Sequence, residues 1–306
     1  MRTSALRRAR LVARPAPAAV AALVLLLGAA PPTSHGGPPA PPPPAPARVV
    51  TITARDYAFE MPDTLVAGRT ELRLANRGGE MHHAWLVRMD REHTPEEFFA
   101  AIRRTGQAPD WAQQVGGPNT PRPGGVSSAV VDLAPGTYLA LCGMPAANGQ
   151  THLRLGMLKT FTVIPAPTVV PARYARGAGA ASTVGAPDVT LTLTDAGFSL
   201  SRPLEAGRHV LRVRNQGAMV HEMIVARLKP GVSAERALNW LGTMQGPAPF
   251  TPLGGVVGLA RGEVNDVPVA LTPGEYALLC RQPDLRALHG GAGPGTHRML
   301  QQFTVK

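Results

Sequence analysis

Apolar and polar residues alternate along this chain in short runs. VVTITA (49–54), TELRLA (70–75), HAWLVRM (83–89), SAVVDL (128–133), TYLALC (137–142) and LKTFTVI (158–164) carry the two-residue period of strands with one buried face. In TYLALC this puts Tyr138, Ala140 and Cys142 on one side and Leu139 and Leu141 on the other. Gly, Pro and Asn punctuate the runs, as expected of turns. Two stretches switch to a helical period. Thr94-Pro95-Glu96-Glu97 ahead of FFAAIRR combines an N-cap, a first-turn proline and a capping-box glutamate. Ser233 opens a weaker counterpart, SAERALNWLG. Phe98, Phe99, Ile102 and Trp240 are assigned to packing on these helices.

The pattern occurs twice. DYAFEMPDTLVAGRTELRLANRGGEMHH (56–83) aligns without gaps on DAGFSLSRPLEAGRHVLRVRNQGAMVHE (195–222), sharing Asp56, Asn76, Gly78 and His82 among others. LAPGTYLALC (133–142) likewise answers LTPGEYALLC (271–280), and FTV (161–163) answers FTV (303–305). The Leu-x-Pro-Gly-x-Tyr element at Leu133–Tyr138 and Leu271–Tyr276 is a tyrosine corner, in which a Tyr entering a strand bonds back to the preceding turn. The expected class is therefore all-β, two tandem Greek-key sandwiches each with a short helical insert. The first domain is set at 48–165 and the second at 188–306, each of ordinary single-core size. Residues 166–187, rich in Gly, Ala and Pro, form a linker expected to be mobile unless the domains dock directly.

The N-terminus changes the picture of charge. Residues 1–30 combine Arg2, Arg7, Arg8, Arg10 and Arg14 with the apolar run AAVAALVLLLG, the pattern of an export signal. Residues 31–47 form a stiff proline-rich tether. Removing the five arginines lowers the formal charge from +11 to +6, so much of the basicity belongs to targeting. No Lys/Arg block with interleaved aromatics follows, so no nucleic-acid partner is expected. A periplasmic or secreted protein is expected, touching the membrane only if the signal stays uncleaved.

The candidate chemistry lies at the end of the first repeat. Cys142 closes a strand, His152 follows after nine residues and Met157 after four more. A thiolate, an imidazole and a thioether are soft ligands, better suited to copper than to magnesium or calcium. A second imidazole is available upstream in His82 and His83. The set resembles the cupredoxin (blue copper) family, with an early His and then Cys, His and Met in order. Its Cys-to-His loop is longer than in plastocyanin-like members. The resemblance implies a type-1-like site of His82, Cys142, His152 and Met157. His221 repeats His82, whereas Glu222 replaces His83, so His82 is the expected ligand and His83 a surface or supporting residue.

The second repeat keeps Cys280 and places Met299 opposite Met157, but Pro294 stands where its histidine should be. His297 lies two residues before Met299 in a Gly-rich, lengthened loop, so His221, Cys280, His297 and Met299 form only a possible second set. One copper per chain, in the first domain, is the expectation. His93 and His209 have no partners in sequence and read as surface residues. The two cysteines occupy equivalent places in duplicated domains, which disfavours a disulfide between them.

Electron transfer or copper carriage follows, with a redox partner protein or a copper donor or acceptor. The alternative is a metal-free cupredoxin-like binding protein of the cell envelope. There is no His-x-His motif, and Leu141 and Leu279 precede the cysteines, so the extra copper sites of copper enzymes are not expected and the chain is read as not an enzyme.

Overall fold

A computed structural model describes residues 47–90, 93–166, 181–282 and 297–306, all within one compact unit. The expected export signal, the proline-rich tether up to residue 46 and residues 167–180 of the linker lie outside the described residues. The first repeat supplies β1 (Arg48–Arg55), β2 (Ala58–Glu60), β3 (Thr64–Val66), β4 (Gly68–Asn76), β5 (Trp85–Met89), α1 (Pro95–Thr105), β6 (Ala112–Gly116), β7 (Val126–Leu133), β8 (Gly136–Leu141) and β9 (Leu158–Ile164). The second supplies β10 (Val189–Thr194), β11 (Gly197–Leu200), β12 (Gly207–Asn215), β13 (His221–Leu228), α2 (Ala234–Thr243), β14 (Phe250–Leu259), β15 (Val264–Leu271), β16 (Gly274–Gln282) and β17 (His297–Val305).

Each repeat is a two-layer sandwich. In the first, β2-β1-β4-β7 faces β6-β5-β8-β9-β3; in the second, β11-β10-β12-β15 faces β14-β13-β16-β17. The parallel pairing of β1 with β4 and of β10 with β12 marks the same crossover in both. All six alternating runs are strands. The inward positions Ile52, Leu72, Leu74, Ala140 and Phe161 are buried, as the two-residue period requires. Both tyrosine corners form: Tyr138 Oη donates to the Ala134 carbonyl at 2.8 Å, and Tyr276 Oη to that of Thr272 at 2.9 Å. Helix α1 has its full capping box between Thr94 and Glu97, whereas Ser233 caps α2 from one side only.

The two sandwiches dock directly, by strand pairing. β7 pairs with β15 and β6 with β14, so the layers run on as one eight-stranded and one nine-stranded sheet. Strand β6 was not legible in the sequence, because AQQVG buries most of its residues without alternation. Side chains lock the seam. Asn265 accepts from Gly117 N at 3.0 Å and donates to the Val115 carbonyl at 3.1 Å. Asn119 donates to Glu222 Oε2 and to the Val256 carbonyl, both at 3.1 Å. Asp266, almost fully buried, pairs with Arg69 across the seam at 2.6 Å and with Arg212 at 2.9 Å. A Cβ on Gly258 of β14 would stand 1.9 Å from Trp85 Nε1, so only glycine lets the indole of β5 lie there. The end of the linker is also held: Ser182 N donates to the Ala47 carbonyl and Ser182 Oγ to Glu71.

Two histidines need correction. His209 is buried, not superficial: its ring sits between Asp188 Oδ2 (2.7 Å) and the Glu205 carbonyl (3.0 Å), which satisfies both nitrogens. His83 is buried as well, on the seam between the repeats. His93 stays half-exposed and stacks on Trp111 at 3.9 Å.

Candidate metal centre

The loop from β4 to β5 carries His82, and repeated residues build it. Asn76 Nδ2 donates to the Glu80 carbonyl at 2.7 Å, and Asn76 Oδ1 accepts from Gly78 N at 3.0 Å. Asp56, in the turn between β1 and β2, accepts from Gly79 N and Glu80 N and binds His82 Nε2 at 2.9 Å. A Cβ on Gly78 would lie 2.2 Å from Asp56 Oδ1 and 2.7 Å from His82 Nε2, so the loop needs glycine there. Asn215, Gly217 and Asp195 repeat the arrangement around His221, with His221 Nε2 2.9 Å from Asp195 Oδ1. Those identities between the repeats are thus the frame that aims one imidazole.

Cys142 and His152 come from the loop joining β8 to β9. Gly149 sits at φ +79° in the Asn148-Gly149 turn, and an isolated bridge joins Pro145 to Thr151. His152 N donates to the Met144 carbonyl at 2.8 Å, and Leu153 N to that of Cys142 at 2.8 Å. Cys142 N in turn donates to the Met157 carbonyl at 3.2 Å, which ties the thioether residue to the thiol. The structure brings three of the expected residues, His82, Cys142 and His152, into one buried group, and buries Met157 in the same core cluster as Cys142. His82 Nδ1 lies 3.0 Å from His152 Nδ1, and Cys142 Sγ 3.4 Å from His152 Nδ1. Among the described residues this is the sole group of three or more His, Cys, Asp or Glu ligand atoms lying within 4.8 Å of one another.

Proton placement tests whether the set fits a cation. His82 Nε2 faces Asp56, and His152 Nε2 faces Glu80 Oε2 at 2.7 Å. An ionised carboxylate only accepts, so both rings carry their proton on Nε2 and turn a bare Nδ1 lone pair inward. Two lone pairs 3.0 Å apart with a sulfur beside them repel unless a proton or a cation stands among them. Metal-bound imidazole nitrogens lie about 2.0–2.1 Å from the ion, so two on one ion are separated by at most about 4.2 Å. The observed pair is well inside that limit, and carboxylates on the outer nitrogens are the usual support of metal-bound histidines.

Titration follows the same surroundings. Burial, then the nearby His82, lowers His152 to about 4, and burial lowers His82 despite Asp56. The Cys142 thiol is pushed up to about 12 by burial, so a cation is needed to stabilise its thiolate at neutral pH. Burial acts against Asp56, yet hydrogen bonds from Gly79, His82 and Glu80 outweigh it and hold its carboxyl below the usual range.

The second repeat gathers a looser group. His297 opens β17 opposite Gln282, and Met299 lies opposite Cys280. Register thereby sets the His297 ring 4.8 Å from that of His221 at an interplanar angle of 59°, much as His152 lies 4.7 Å from His82 at 52°. The difference is in the support. Met219 occupies the place of Glu80, and His297 Nε2 is buried with no partner. Cys280 Sγ is 4.0 Å from His221 Nδ1, and its thiol is also pushed up to about 12 by burial. Both cysteines are free.

Sequence reasoning missed Asp56, Glu80 and Asp195; the repeat of Asp56 at Asp195 was the available signal. It also understated His83, whose Nε2 accepts from Gly143 N at 2.8 Å, directly after Cys142. Glu222 does the same in the second repeat, accepting from Arg281 N at 2.9 Å after Cys280.

No protein-family model matches the chain, and no curated protein does. Solved structures do. Reduced auracyanin from the photosynthetic bacterium Roseiflexus castenholzii aligns at 20% identity over 39% of this chain and 99% of its own, with a TM-score of 0.27. Blue copper oxidase from Nitrosomonas europaea aligns at 13% identity over 85% of this chain and 86% of its own, TM-score 0.23. The copper-containing nitrite reductase of Thermus scotoductus aligns at 12% identity over 84% and 61%, TM-score 0.22. Such likeness concerns fold alone. The expectation that the chain is not an enzyme is nevertheless corrected, since the solved structures that align over most of its length include an oxidase and a reductase. Among the described residues no helix is long and apolar enough to cross a membrane. The chain is a tandem pair of two-layer β-sandwich domains, the first of which carries a buried group of two histidines and a cysteine that could hold a metal ion.

Proposed function

We propose that the chain is an exported copper redox protein whose first domain holds one copper ion between His82, Cys142 and His152, with Met157 as the weak fourth ligand. The observation that carries this reading is the pair of inward Nδ1 atoms 3.0 Å apart, each ring fixed by a carboxylate on its other nitrogen. When bound, the ion would supply one-electron chemistry, with the Cys142 thiolate and the Met157 thioether among the groups that would hold it. The chain's own part is to hold three donors before the ion arrives, to keep both rings in one tautomer and to exclude water from a site whose ligands are buried. Little then has to move between oxidation states, which favours fast electron exchange with a redox partner protein. The arginine-rich, apolar N-terminus supports export. His221, Cys280, His297 and Met299 form a second, weaker site, lacking the carboxylate that Glu80 provides.

Titration of the mature protein with Cu(II), followed by visible absorption and EPR, tests the reading. One equivalent is expected to produce an intense thiolate-to-copper band that Cys142→Ser removes and Cys280→Ser leaves in place. Uptake with only the pale spectrum of nitrogen and oxygen ligands would overturn it. No uptake at all would leave a metal-free cupredoxin-like binding protein.

A further inference from the structure

The duplicated seam encloses a cavity of about 210 Å³ that neither ligand set uses. Its walls come from both repeats: Trp85 and Met144 from the first, Leu241 and Ile224 from the second, with His83, Glu222, Arg281 and Gln282 among its polar residues. An apolar cavity of about 150 Å³ is enough to take a benzene-sized molecule. Four features define what would fit.

His83 is a fixed donor. Its Nε2 accepts from Gly143 N at 2.8 Å, so in the neutral ring the proton sits on Nδ1, and that atom is buried with no partner. Gln282, which also lines the cavity, keeps a buried amide oxygen without a partner. Arg281 brings a positive charge whose guanidinium lies flat on α2, since a Cβ on Gly242 would stand 2.9–3.1 Å from its atoms. No ion pair among the described residues includes Arg281. Glu222 reaches the same cavity, but Oε1 already accepts from Arg281 N and Oε2 from Asn119 Nδ2. An unfilled donor on His83, an unfilled acceptor on Gln282 and a cation therefore meet apolar, partly aromatic walls. A buried donor without a partner destabilises the fold, so a ligand that accepts from His83 Nδ1 recovers stability.

We propose that this cavity between the repeats binds a small organic anion with a ring-sized apolar body, of the class of aromatic carboxylates. The carboxylate lies toward Arg281 and His83 Nδ1, and the ring lies among Trp85, Met144 and Leu241. The inference is independent of copper, since none of these side chains is a proposed ligand. It also gives the seam a role beyond joining two sandwiches, because the site exists only while both repeats are docked.

Calorimetric titration of the full-length, metal-free protein tests it, with benzoate as the probe and benzamide as its neutral counterpart. Saturable binding of one benzoate per chain is expected, with benzamide at least about tenfold weaker. Arg281→Gln should remove that preference for the anion. Leu241→Trp, which fills the ring end, should weaken both probes by about tenfold or more. Thermal melts confirm that each variant is folded before titration. Absence of saturable benzoate binding to the unmutated chain up to about 10 mM would overturn the proposal. Equal affinity for benzoate and benzamide, or binding that survives both substitutions, would do so too.

Discussion

At the scale of single residues, the His82, Cys142 and His152 group is a problem of proton placement. Glu80 and Asp56 decide which nitrogen of each ring faces inward, and they do so from the outer side of the rings. Glu80→Ala is therefore expected to lower copper affinity by about 10–100-fold while keeping the Cys142 charge-transfer band. Competition against a chelator of known affinity measures this. An unchanged affinity would mean that the carboxylate does not orient the ring. Met157→Leu should keep copper and raise the reduction potential, because a weak thioether ligand is lost; cyclic voltammetry reads the shift directly. Protons report on the same rings. His152 titrates at about 4 in the fold against 6.5 for the free side chain, chiefly through burial and then through His82. Between those values the unfolded chain binds more protons than the folded one. Stability of the copper-free protein should hold above 6.5 and fall as pH drops from 6.5 toward 4. Urea titrations across that window show it, and a flat profile would contradict the buried neutral imidazole.

At the scale of elements, the best-read parts were those whose cause is local. The capping box at Thr94 and Glu97, the tyrosine corners and the alternating strands each follow from neighbours in the chain. Thr94→Ala should cost about 1 kcal/mol by removing the cap, measured by chemical denaturation. The corresponding change at Ser233 should cost no more, since α2 lacks the reciprocal glutamate. Strand β6 escaped because its partners lie on both sides: β5 on one edge and β14 of the other repeat on the other. Burial on both faces of β6, where only Gln113 is exposed, removes the alternation that marks a strand with one solvent face. His83 escaped for a similar reason. An exposed role suits a histidine beside a ligand, yet here the second sandwich covers it.

At the scale of the whole molecule, two sandwiches share two sheets and a polar seam. Asn119, Asn265 and Asp266 each satisfy groups from both repeats, so the halves are expected to unfold together. Calorimetry should show one transition, and Asp266→Ala should lower its midpoint by leaving Arg69 and Arg212 without their shared partner. Two resolved transitions would mean that the seam contributes little. Residues 188–306 expressed alone should be less stable and prone to association, because the edges of β14 and β15 lose their partners.

By itself the sequence determined the duplication, the all-β class, the tyrosine corners and the order His82, Cys142, His152, Met157. These depend on periodicity, turn chemistry and residue type, which are written locally. Only the tertiary structure decided that Asp56 and Glu80 stand behind the imidazoles, that His297 reaches His221 despite its different spacing, and that the two sheets continue across the seam. Each of these rests on strand register and loop closure between distant segments. Alternation tells a strand which face to bury, but the partner that covers that face is chosen by the packing of the whole chain.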